Sequence, residues 1–66
     1  MTQYLIMKSS SKRFLHKDVT TDGGVFFHWS ATDHGAHIVG SRTQGKDLVK
    51  QIDPNTSIKE LSFVRY

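Results

Sequence analysis

The apolar positions of this chain cluster, alternate and then change period, and those changes mark its elements. "QYLIMK" (residues 3–8) is a short apolar run rich in strand formers, and "SSSK" (9–12) breaks it as a polar loop. "RFLHKDVTT" (13–21) is a second extended stretch of mixed polarity that contains β-branched residues. Asp22, Gly23 and Gly24 follow. An Asp-Gly pair between two β-prone runs is a strong hairpin signal, because glycine accepts the positive φ of a tight turn. In "VFFHWS" (25–30), Val25, Phe27 and Trp29 share one face and Phe26, His28 and Ser30 the other. Aromatic rings on both faces predict a strand central in its sheet. "ATDHG" (31–35) reads as a turn and "AHIVG" (36–40) as a short strand, so that "FFHWSATDHGAH" is expected to be the central hairpin.

The period then changes. "SRTQGKDLVKQI" (41–52) places Leu48, Val49 and Ile52 on one helical face and turns Arg42, Lys46 and Lys50 largely away. Ser41 with Gln44 three residues on matches a capping box. Gly45 costs about 1 kcal/mol relative to alanine in a helix, and close approach of helix to sheet is one reason to keep it. Pro54 ends the helix by pushing Asp53 out of the α region. "SIKELSFVRY" (57–66) returns to strand, with Ile58 out of phase. The order β-β-β-(β)-α-β predicts a single α+β domain over residues 1–66. It is a small antiparallel β-meander with one helix packed on one face and a closing C-terminal strand. The expected core is Leu5, Met7, Phe14, Val25, Phe27, Trp29, Ile38, Leu48, Val49, Ile52, Leu61 and Phe63.

Composition narrows the picture. A chain of 66 residues buries only about 60% of the surface its unfolded form exposes. Small domains usually need a staple, and with no cysteine neither disulfides nor thiolate zinc sites are open to it. That leaves a self-sufficient core or a homodimer. No basic segment precedes an apolar run at the N-terminus, and no stretch approaches the roughly 20 apolar residues of a membrane span. The expectation is a cytoplasmic protein without a membrane partner.

Charge is unevenly placed. Residues 1–17 hold Lys8, Lys12, Arg13 and Lys17 with no acid, residues 18–40 hold Asp18, Asp22 and Asp33 with no Lys or Arg, and the whole carries +3. Lys8, Lys12, Arg13 and Lys17, with His16 beside them, form a candidate binding patch for an acidic surface. A merely solvated loop would have the same composition.

The remaining chemistry is thinner. His28, His34 and His37, with Asp33, suggest a metal site if a turn at 31–35 brings His28 and His37 to one side. No HExxH accompanies them, and the reading taken is that they bind no metal. Ser30, His28 and Asp33 make a triad only on paper, since no nucleophile elbow, phosphate loop or dinucleotide fingerprint is present. No enzymatic activity and no cofactor are expected.

The stretches "YLIMK", "RFLH", "FHWS", "SRTQGKDLVKQI" and "IKEL" together resemble the layout of small sheet-plus-helix proteins encoded by phages and prophages. That resemblance implies a setting in which proteins of this size inhibit host or defence proteins or bind nucleic acid. It carries over no functional residue. Nucleic-acid mimicry requires an acidic chain, and this one is basic. The expectation is a small non-enzymatic interaction protein, a phage-type inhibitor with an acidic protein partner, and the alternative is a basic nucleic-acid-binding module using the same patch.

Overall fold

The structure, a computed structural model, describes residues 2–66. Its elements are β1 (Tyr4–Lys8), β2 (Arg13–Val19), β3 (Val25–Ser30), β4 (Ile38–Val39), α1 (Arg42–Ile52), a 3₁₀ turn (Ile58–Glu60) and β5 (Leu61–Arg65). They form an α+β fold built on one five-stranded antiparallel sheet.

β1 is the central strand. One of its edges pairs with β5 along its whole length, from Tyr4↔Arg65 to Lys8↔Leu61. The other edge is shared: β2 takes Met7 and Lys8, and β4 takes Tyr4 and Leu5. The β1–β2 hairpin therefore opens after Phe14, and β4 fills the fork. The His37 N–H donates to the Leu15 carbonyl at 2.9 Å and ties β4 to β2. Beyond β2 lies β3, paired over six residues from Phe14↔Ser30 to Val19↔Val25. β3 is thus an edge strand, not the central one expected from its aromatic residues on both faces. No hairpin joins it to β4, because β2 lies between them and residues 31–37 must cross over β2.

Directly paired residues share a face. The helix covers the face carrying Ile6, Leu15, Val39 and Phe63, and its Val49 completes a core whose four members, Ile6, Leu15, Val39 and Val49, are at most 1% exposed. The crossover covers part of the other face, where Leu5 and His16 are buried. This differs from the expected core in phase. Ile6 and Leu15 are fully buried, whereas Met7 and Phe14 are half-buried and Val25 is 52% exposed. In a continuous run such as "YLIM" the period-2 signal is silent, and a central strand covered on both faces needs no alternation.

Local sequence sets the connections. In the β2–β3 turn Gly23 adopts φ +89°, and the Thr20 N–H reaches the Gly24 carbonyl at 2.8 Å. The Ser41 Oγ accepts the Gln44 N–H at 3.1 Å, but the Gln44 Oε1 accepts from the Gly40 N–H at 3.0 Å, one residue before the cap. The helix ends as Pro54 requires, with the Asp53 N–H on the Val49 carbonyl. Gly45 is buried against Phe63 and Ile6. An added Cβ would stand 2.5 Å from Phe63 Cε1 and 3.2 Å from Ile6 Cδ1, so close helix–sheet approach is the reason for this glycine. Ile58 is out of strand phase because it opens the 3₁₀ turn, which has its own capping box between Ser57 and Glu60.

Candidate interaction surface

The β1–β2 hairpin positions the basic residues. Its turn closes through the Lys12 N–H on the Lys8 carbonyl at 2.7 Å, with Lys12 at φ 54° in the left-handed region. Lys8 and Arg13 then stand directly opposite on the helix-covered face. Like charges so placed repel, and Lys8 reaches away from Arg13. Its ammonium lies 3.8 Å from Asp53 Oδ2 and 4.7 Å from the centre of the Trp29 ring. The same Asp53 oxygen accepts from Thr56 Oγ1 at 2.6 Å and Trp29 Nε1 at 3.2 Å. The Thr56 hydroxyl, with the indole N–H and the Lys8 charge adding to it, holds the Asp53 carboxyl below its ordinary range against the opposing effect of burial. Lys8 is therefore engaged in joining the sheet to the end of α1.

Lys12, Arg13 and Lys17 are exposed. Among the described residues, the ion pairs are Lys8 with Asp53 and His28 with Asp18, so no carboxylate lies within reach of these three cations. Arg13 and Lys17 project from one face of β2, four residues or roughly 13 Å apart. Lys17 stands near His37, whose ring meets Phe27 edge-on at 5.7 Å. Burial first, and then the Lys17 charge, lowers the His37 pKa from 6.5.

His16 does not belong to this surface. β-strand alternation puts it on the opposite face, 8% exposed, where Nε2 donates to the Thr32 carbonyl at 2.8 Å. A carbonyl only accepts, so the bond fixes the proton on Nε2. The His16 ring stacks on His28 at 5.3 Å between centres, and Phe26 follows His28 at 5.7 Å. His28 also bonds Asp18. Three of the described rings thus make a ladder across β2 and β3 that the sequence did not disclose, because it depends on the strand register.

The metal geometry weighed for His28 and His37 does not form. The two lie on opposite faces with β2 between their strands, and among the described residues no three His, Asp or Glu side chains converge. Two of the surface depressions are lined in part by residues of the sheet. One is lined by Gln3, Tyr4, Gly40, Ser41 and Arg42, but the Ser41 hydroxyl caps the helix and the Arg42 guanidinium lies over the Tyr4 ring. The other is lined by Leu5, His34, Val64 and Tyr66 beneath the crossover. Among the described residues no helix is long and apolar enough to cross a membrane. No protein-family model, curated protein or solved structure matches the chain.

Proposed function

We propose that this chain is a non-enzymatic interaction protein that binds an acidic protein surface through Lys12, Arg13 and Lys17. The observation that carries the reading is the contrast among its basic residues. Lys8 pairs with Asp53 and lies over Trp29, whereas Lys12, Arg13 and Lys17 are exposed and make no ion pair among the described residues. Cations left free on a rigid hairpin are already placed for an external acid and steer its approach. A phage-type inhibitor acting by occlusion is the setting the sequence layout suggests. In the depression beside α1 the Ser41 hydroxyl is taken up in capping and the Arg42 guanidinium lies over the Tyr4 ring, so neither is poised as a nucleophile or base.

The test is capture of partners from bacterial lysate by the tagged chain, with and without nuclease, beside the Lys12→Glu/Arg13→Glu variant. A protein retained after nuclease by the wild type and lost by the variant supports the reading. Retention by both refutes the role of these residues. Loss of all captured material on nuclease treatment makes the ligand a nucleic acid, and affinity then falls steeply with salt as phosphate contacts release counterions.

A further inference from the structure

The sheet ends on two strands, β5 and β3. β5 carries Arg65, and its Phe63 lies under Gly45 of the helix. β3 has none of the features that usually blunt an edge. Val25–Ser30 contains no Lys, Arg, Asp, Glu or Pro, and its register with β2 runs through six consecutive pairs without a bulge.

The register also determines which backbone groups are free. The Thr20 N–H on the Gly24 carbonyl marks that pair as hydrogen-bonded. Antiparallel pairs alternate, so Val19/Val25, Lys17/Phe27 and Leu15/Trp29 are the pairs whose polar groups turn away from each other. An independent bond agrees: the Leu15 carbonyl accepts from His37, on the side of β2 away from β3. Val25, Phe27 and Trp29 therefore direct their N–H and C=O groups to the open edge.

We infer that β3 pairs with β3 of a second copy of this chain, antiparallel about a two-fold axis at Phe27, to make one continuous sheet. Centring the pair there sets Phe27 against Phe27 and Val25 against Trp29 of the second copy, and joins all twelve free backbone groups in six hydrogen bonds. Centring on His28 would leave Val25 outside the paired strands. No charge meets its like, because the strand holds no Lys, Arg, Asp or Glu and its one histidine, His28, falls opposite Phe26 of the second copy. Phe26, 45% exposed, falls beside His28 of the second copy, and Val25 gains an indole neighbour. The pairing goes beyond the basic surface, which lies on other residues, so either proposal can fail without the other.

The experiment is sedimentation equilibrium of the full chain from about 1 µM to 1 mM, the span of weak and moderate association. The wild type is expected to move from 7.5 kDa to twice that mass. Val25→Pro is expected to remain monomeric with an unchanged circular dichroism spectrum. The Val25 N–H takes no part in the β2 ladder, and the first residue of an edge strand tolerates proline. Because the chain has no cysteine, Phe27→Cys supplies a second test. Cα atoms about 5.5 Å apart across the axis suit a disulfide, so mild oxidation is expected to cross-link Phe27→Cys and not Val25→Cys. A monomer at every concentration overturns the proposal, as does a dimer that folded Val25→Pro leaves intact. Cross-linking through His28→Cys in place of Phe27→Cys overturns the proposed axis.

Discussion

At the scale of single residues, Gly45 and His37 show how packing gives a side chain its meaning. Alanine at position 45 gains about 1 kcal/mol of helix propensity. Its Cβ, however, must displace the Phe63 ring and press on Ile6, which is fully buried. Overpacking of this kind costs about 1–3 kcal/mol. Gly45→Ala is expected to lower stability by about 1 kcal/mol in urea unfolding. Combined with Phe63→Leu it should cost less than the two changes separately, since they share one contact. His37 carries a pH prediction. Its folded pKa lies below 6.5 through burial and then Lys17, so the unfolded chain takes up the proton first. Its contribution to stability is complete above about pH 6.5 and falls as pH drops from there through the folded value. His37→Gln should flatten that part of the stability–pH curve, read from urea midpoints between about pH 7.5 and 5.

At the scale of elements, caps and turns follow local rules that long-range packing then uses. The Ser41 hydroxyl satisfies one of the four free N–H groups at the start of α1. Ser41→Ala is expected to cost about 1 kcal/mol and Ser41→Asp almost nothing, by thermal or urea unfolding. Gln44 goes not to the cap residue but to the Gly40 N–H, and so fixes the path from β4 into the helix. The reciprocal capping box that α1 lacks is present in the 3₁₀ turn at Ile58–Glu60, between Ser57 and Glu60 immediately before β5, which explains the phase slip at Ile58.

At the scale of the molecule, charge and topology act together. The β1–β2 hairpin carries Lys8, Lys12 and Arg13, and Asp53 draws Lys8 back onto the body of the protein. Charge reversal at Lys12 and Arg13 breaks no ion pair among the described residues. The Lys12→Glu/Arg13→Glu chain is therefore expected to keep its melting temperature within a few degrees while losing at least tenfold in affinity for an acidic protein partner. Surface plasmon resonance at several salt concentrations checks this. For the wild type the association rate should fall with salt, and dissociation should change little.

Much of this fold was legible in the residues, where the cause is local. Asp22-Gly23-Gly24 specified the hairpin turn because few other residues accept its φ, Ser41 and Pro54 bounded the helix, and the change of period from 2 to 3.6 gave the α+β class. The basic residues and their segregation from the acids were equally plain. Strand order was not legible. The aromatic residues of "VFFHWS" read as a central strand, yet the forked β1–β2 hairpin gave its gap to two residues of β4 and left β3 at the edge. Pairing between distant segments decided that, and with it which side of "YLIM" and "RFLH" is buried. It also made His16 a buried donor to Thr32 stacked on His28, and put His37 on the opposite face. Residue types and their near neighbours set the helix and its two ends, the β2–β3 turn and the distribution of charge, because these depend on positions a few residues apart. The tertiary structure alone decided faces, edges and free cations, because a one-residue change of register or a single long-range partner reverses each of them.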